Sequence, residues 1–328
     1  MSGKPILITG SHRSGSTWLA SMLALSEESL IAHEPFNIEP WAYALDGLAR
    51  QWFTYAPALS QHAALEAFSR VLRRRTRKIF LKNEPQHWIP ALRRGRLIIK
   101  DPIAALSSDW LAKNFDLEVI VLVRHPAAFA ASLKRLGWRH PFEHFLNQKM
   151  LMHRHLEPYR AEISSKPQDT VEQAAIIWKC LYGTLFTYLN SNPNWLVRKH
   201  EVLSGNPVAE LKSLYETLGL QWSATVEENV VKYTRCGNPV NAPKGTVHQI
   251  RRDSVANITR WKETLTEEEI ARVYEITRPI SSFYYPDNDW GGSLNTSQGG
   301  HAPARGVHQE VARGPLYSLP TYLSTQRR

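Results

Sequence analysis

Apolar residues fall into two patterns along this chain. Short unbroken runs occur at Ile6–Thr9, Leu97–Lys100, Val119–Val123 and Trp195–Arg198. Runs of this length, without polar alternation, predict strands buried on both faces. Between them apolar positions recur at helical spacing over Thr17–Leu25, Ser107–Asn114, Pro126–Leu136, Val171–Leu189 and Pro207–Leu218. Ser108 is placed to cap its helix, and Pro126 suits a first helical position. Thr266 with Glu269 reads as a capping box that opens a last helix. Strands alternating with helices predict an α/β domain with a central parallel sheet and helices on both faces, a three-layer fold.

Residues 41–95 interrupt that rhythm. They are aromatic and basic, with Trp41, Tyr43, Trp52, Phe53 and Tyr55 ahead of Arg73-Arg74-Arg75. We read them as a helical insertion beside the sheet and a possible acceptor region. From Gly291 the chain loses periodicity and fills with Gly, Pro, Ser and Gln. Residues 1–290 therefore form the expected domain, and 291–328 a flexible polar tail.

The first run leads into Gly10-Ser11-His12-Arg13-Ser14-Gly15-Ser16-Thr17-Trp18. A strand, a Gly-containing loop and a helix start make an anion cradle, because loop N–H groups converge there and the helix dipole favours negative charge. The frame is that of G-x-x-x-x-G-K-[ST], with Gly10, Gly15 and Thr17 in register. Ser16 stands where the lysine that reaches β- and γ-phosphates belongs. Such a loop suits a phosphate better than a triphosphate chain, with Arg13 as its cation.

Composition narrows the class. A formal charge of +10 points to anionic substrates or polyanionic partners. Two cysteines, Cys180 and Cys236, make no disulfide framework and no metal site. No apolar run approaches the ~20 residues of a membrane span, and the chain enters a strand with no apolar leader. We expect a cytoplasmic enzyme that needs no metal and has no membrane span. Nucleic-acid binding is not expected, since the cations are dispersed and no helix-turn-helix, OB or RRM pattern is present.

Two further segments add specificity. Val119–Ser132 carries Arg124 at the end of a strand and Ser132 eight residues on, inside the next helix. Leu196–Leu220 contains Val-Arg-Lys-His-Glu-Val-Leu, a helix and then Leu-Gly-Leu. Together with the loop, from about Lys4 to Pro286, the chain resembles the sulfotransferases that use 3′-phosphoadenosine 5′-phosphosulfate (PAPS). It is closest in motif to the carbohydrate and tyrosylprotein types. The resemblance implies a P-loop NTPase-like fold, and PAPS as co-substrate. It implies that Arg13, Ser14, Gly15, Ser16, Thr17 and Trp18 hold the 5′-phosphosulfate, and that Arg124 and Ser132 hold the 3′-phosphate. The chemistry of the residues agrees. A separate phosphate suits a guanidinium at a strand's carboxyl end, where ligands of open α/β sheets collect.

The resemblance also bears on catalysis. Transfer to an alcohol needs its proton removed, and the second strand should return at Leu30-Ile31-Ala32 and end at His33-Glu34-Pro35. Related enzymes carry a glutamate base in this segment, which implies Glu34, with His33 as the rival. Lys100, in a Lys-Asp-Pro that tyrosylprotein sulfotransferases share, is implied to stabilise the leaving oxygen. Arg251, Arg252 and Ser254 precede Trp261, where the family often has a basic segment over the nucleotide. The usual R-K-G-x-x-G-D-W is absent, and Arg252 is the residue we carry forward. Trp18 is expected to pack under the loop. The acceptor would bear a hydroxyl, on a carbohydrate or another alcohol, and could be polyanionic. The alternative is a P-loop kinase-like phosphotransferase, with Asp101 as a magnesium ligand.

Overall fold

The computed structural model describes residues 3–26, 29–39, 45, 47–73, 95–240 and 250–290. Trp41, Tyr43, Arg74, Arg75 and the expected tail at 291–328 lie outside the described residues. Five parallel strands form one sheet: β1 (Ile6–Gly10), β2 (Ser29–His33), β3 (Arg96–Lys100), β4 (Glu118–Val123) and β5 (Leu196–Lys199), in the order β2-β3-β1-β4-β5. With a phosphate-type loop after the central β1, this is the P-loop NTPase-like three-layer arrangement.

Each strand feeds both faces, because successive side chains alternate across a sheet. Leu7, Ile99, Val119, Val121 and Val123 point into one core, which α2 (Gln61–Leu72), α4 (Pro126–Leu136) and α5 (Thr170–Ser191) cover. Ile6, Ile8, Ile98, Ile120 and Leu122 point into the other, against α1 (Ser16–Leu23), α7 (Pro207–Leu218) and α8 (Ala224–Thr234). A parallel strand loaded on both faces has no room for polar alternation, so its sequence is an apolar run.

Three expectations shift. β5 is half-buried along its length, not a buried strand, because it is the sheet edge. Ser107, not Ser108, occupies the cap position of α3 (Ser108–Asn114), and Ser108 instead donates to the Ala105 carbonyl at 2.7 Å. The described part of the insertion is a turn at Ala56–Ala58 followed by α2, whose Ala64, Ala67, Phe68 and Val71 join the first core. The capping box at Thr266 and Glu269 forms in both directions and opens α9 (Glu267–Ser281), while α6 (His200–Gly205) places Leu203 in the second core.

Strand register sets up the site. His33 lies beside Lys100, Gly10 beside Leu122, and Val123 beside Lys199. The residues that follow these ends, Glu34, Ser11, Arg124 and His200, therefore leave the sheet along one edge.

Candidate active site

The loop after β1 has a backbone that side chains resist. Gly10 lies at φ 140, and a β-carbon there would collide with the Leu122 carbonyl. Gly15 lies at φ 98, and its β-carbon would fall 2.6 Å from His200 Nδ1. Both positions need glycine for conformation and for space. Tyr182 of α5 pins the loop: its hydroxyl donates to the Leu122 carbonyl at 2.8 Å and accepts from Ser11 N–H at 3.1 Å. Arg13, at φ 63, turns its guanidinium across the loop. Its Nε donates to Ser132 Oγ at 3.2 Å, and its carbonyl accepts from Arg124 Nη1 at 2.7 Å.

A cavity of about 800 Å³ opens over this loop. Arg13, Gly15, Ser16, Thr17, Trp18, Glu34, Arg124 and Arg252 line it. Ser132 shares a smaller adjoining recess with Arg124, Arg135 and Arg260. The guanidiniums crowd one another. Burial pushes Arg13 down to about 10, and Arg124, Arg252 and Arg135 add repulsion. Arg252 falls to about 10 for the same reasons, burial first and then Arg124 and Arg135. A set of cations that raise one another's energy gains most from a bound anion. Ser14 Oγ and Arg124 Nε are buried with no hydrogen-bond partner among the described residues, two more groups that an anion would satisfy.

Glu34 stands at the other side of the same cavity, at φ 48, an uncommon conformation for a glutamate. Its N–H bonds the Lys100 carbonyl at 2.8 Å. Its Oε1 accepts from Lys100 Nζ at 2.5 Å and its Oε2 from Asn37 Nδ2 at 2.6 Å. Burial alone would raise this carboxyl, but Lys100, then His33 and Asn37, outweigh it and hold it down to about 2. His33 Nδ1 is 3.9 Å from Glu34 Oε2. Lys100 is only 1% exposed, so it lies behind Glu34 and not on the cavity wall.

Asp101 has another task. Its carboxylate accepts from the N–H groups of Phe36, at 2.7 Å, Ile103, at 3.0 Å, and Ala104, at 3.1 Å. It thereby ties the turn carrying Glu34 to the end of β3. Burial pushes it up to about 7. Its oxygens are committed to backbone donors, which disfavours the kinase reading in which they bind magnesium.

Trp18 is half-buried, packs on the second core and meets the His200 ring edge-on at 6.2 Å. Ser254 turns its hydroxyl to the carbonyls of Ser204 and Thr234. His12, Trp138, His140 and His200 also line the cavity, though no motif in the sequence marks them. His12 lies inside the phosphate loop. His200 follows β5 as Arg124 follows β4, so the same strand-end rule finds it. Trp138 and His140 arrive through the turn at Gly137, which ends α4 in the left-handed region at φ 62.

The sequence pattern described as the Sulfotransferase family matches residues 5–224, more than half of the chain. No curated protein sequence matches. Among solved structures the chain is similar to a sulfotransferase domain from the curacin biosynthetic pathway, at 17% identity, covering 84% of this chain and 97% of that one with a TM-score of 0.47. It is also similar to a sulfotransferase from Mycobacterium avium, at 14% identity, 87% and 77% coverage and TM-score 0.43. A mouse sulfotransferase complexed with PAP gives 13% identity, 87% and 86% coverage and TM-score 0.43.

Proposed function

The chain belongs to the sulfotransferase family of PAPS-dependent enzymes, and on that premise we propose that it moves a sulfuryl group onto an alcohol hydroxyl with Glu34 as general base. The observation that carries this reading is one cavity with two unlike walls. The Gly15–Thr17 loop and three arginines line one side, and a carboxylate held by Lys100 and Asn37 lines the other.

PAPS supplies an activated sulfur whose bond to the bridging phosphate oxygen breaks as the acceptor oxygen attaches. Arg13, Ser14, Gly15, Ser16, Thr17 and Trp18 would hold the phosphosulfate end. Arg124, Ser132 and Arg252 would hold the separate 3′-phosphate, through charge-assisted hydrogen bonds. The unpartnered Ser14 Oγ and Arg124 Nε support that fit.

Glu34 takes the acceptor's proton on a carboxylate oxygen. Its pairing with Lys100 makes it a weak base at rest, held at about 2. Lys100 lies behind Glu34, so it sets the carboxylate's basicity from the side away from the cavity.

The test is transfer of label from sulfur-labelled PAPS to a panel of simple alcohols and glycosides, without added metal. The expected outcome is a labelled sulfate ester and one PAP per ester. Transfer of phosphate from ATP to the same acceptors, with no label moved from PAPS, overturns the reading.

A further inference from the structure

Beside Arg13, whose guanidinium lies 5.6 Å from the centre of the Trp138 ring, the cavity wall changes character. His12 and His140 both line it, with Trp52, Phe53 and Trp138. Phe53 lies between the two imidazoles, its ring 5.7 Å from each. Phe53 holds φ 58, a left-handed conformation that a bulky side chain adopts only when its surroundings enforce it. The enforcing contact is Gln148, which accepts from Tyr55 N–H at 2.7 Å and donates to the Phe53 carbonyl at 3.3 Å.

Neither imidazole is used by the protein in the way a buried one usually is. His12 Nδ1 and His140 Nε2 are buried with no hydrogen-bond partner among the described residues. His140 is 8% exposed, and Phe53, Phe142 and Phe145 surround it. Burial keeps both rings neutral, with His12 pushed down to about 4 and His140 to about 3. A neutral imidazole offers one donor and one acceptor, the set that an alcohol hydroxyl completes. Leaving such groups unpaired is costly, and with His200 Nδ1 also unpaired among the described residues on the same cavity the arrangement points to a ligand that pairs them.

Resting on the sulfuryl-transfer reading above, we infer that His12 and His140 are specificity-determining residues that bind further hydroxyls of the acceptor, and that the acceptor is a polyhydroxylated ring. One hydroxyl meets Glu34. Others pair with the two imidazoles, after rotation of a ring about its Cβ–Cγ bond where the unpaired nitrogen faces inward. Trp52, with Trp138 on the side its ring leaves open beside Arg13, covers the ring's C–H surface. A purely apolar alcohol would fill the same space and leave both imidazoles unpaired, which is how a site rejects it.

The experiment compares methyl β-D-glucopyranoside with cyclohexylmethanol, two six-membered rings that bear a primary hydroxyl. The ratio of their kcat/KM values should favour the glucoside in the wild type. His140→Phe suits the surrounding phenylalanines, so folding is retained. It should lower that ratio roughly 2- to 12-fold, the range for one neutral hydrogen bond. The combined His12→Phe and His140→Phe variant should lower it further, and His140→Gln should recover part of it. Calorimetry of the glucoside on the PAP-bound protein reads the same loss without turnover. A wild-type preference for cyclohexylmethanol, or a ratio unmoved by both substitutions, overturns the inference while sulfuryl transfer stands. Label that reaches other members of the acceptor panel but not the glucoside overturns the inference alone, and label that reaches no acceptor overturns the transfer reading with it.

Discussion

The cavity has an arginine wall and a histidine wall, and they solve opposite problems. On the first, burial lowers the proton affinity of Arg13, Arg124 and Arg252, neighbouring guanidiniums add repulsion, and a positive field is left in a buried place. On the second, His12 and His140 are kept uncharged by the same burial. Guanidinium cannot lose its proton at ordinary pH and stores the cost of crowding until an anion arrives. Imidazole sheds its charge and keeps only its hydrogen-bonding groups. Desolvation therefore sorts the two walls into an anion site and a neutral polar site, with the Glu34–Lys100 pair on the seam between them. Four predictions probe that division.

The largest effect belongs to the seam. Glu34→Gln keeps the shape and removes the basicity, so kcat should fall at least ~10²-fold. PAP affinity should stay within about twofold, because the arginine wall is intact. Equal loss of PAP affinity and kcat would move Glu34 onto the nucleotide wall and break the comparison.

Next comes the arginine wall itself. Arg124→Ala should cost roughly 1.5–3 kcal/mol of PAP binding, the worth of a hydrogen bond to a charged group. Adenosine 5′-phosphosulfate, which lacks the 3′-phosphate, should weaken far less. Matched losses, measured by calorimetry, would make Arg124 a scaffold residue holding the Arg13 carbonyl.

Asp101→Asn tests what supports the seam. One amide oxygen cannot replace two carboxylate oxygens that serve Phe36, Ile103 and Ala104. Urea unfolding should show a loss of about 1–3 kcal/mol, from buried donors left unpaired. The kcat should fall with it, since the turn that carries Glu34 loosens.

The last test is the acid response. Glu34 is held at about 2 in the folded protein, below its ordinary 4.5. A depressed carboxyl contributes stability above the ordinary value and loses it as pH falls toward the depressed one. The stability gap between wild type and Glu34→Gln should be constant from pH 7 to about 5 and shrink between about 4.5 and 2. Shrinkage beginning near pH 6.5 would instead implicate a histidine partner and weaken the assignment of Lys100.

Much of this was legible before the structure, for physical reasons that differ by region. β1, β3 and β4 are buried on both faces, so each reads as an apolar run within a residue or two of its observed bounds. β5 read equally apolar, yet edge position is a property of strand order, which no local run encodes. The arginine wall was legible because its parts are local: a glycine spacing, and a cation at a strand end. Arg13, Gly15, Ser16, Thr17, Trp18, Glu34, Arg124 and Arg252 do meet at one cavity. Lys100 reaches it only through Glu34, and Ser132 through Arg13. The histidine wall was not legible. His12, Phe53 and His140 come from three distant segments, and what unites them is a shared phenylalanine ring and the lack of partners, both visible only in three dimensions.

The account's central claim is that the arginine wall reads two separate anions on one nucleotide and not a triphosphate. Calorimetry of PAP and ATP against the wild-type protein in a chelating buffer tests it most directly. PAP should bind in the micromolar range with one site, and ATP much more weakly. Equal affinity for ATP, or PAP binding that appears only when magnesium is added, would contradict it.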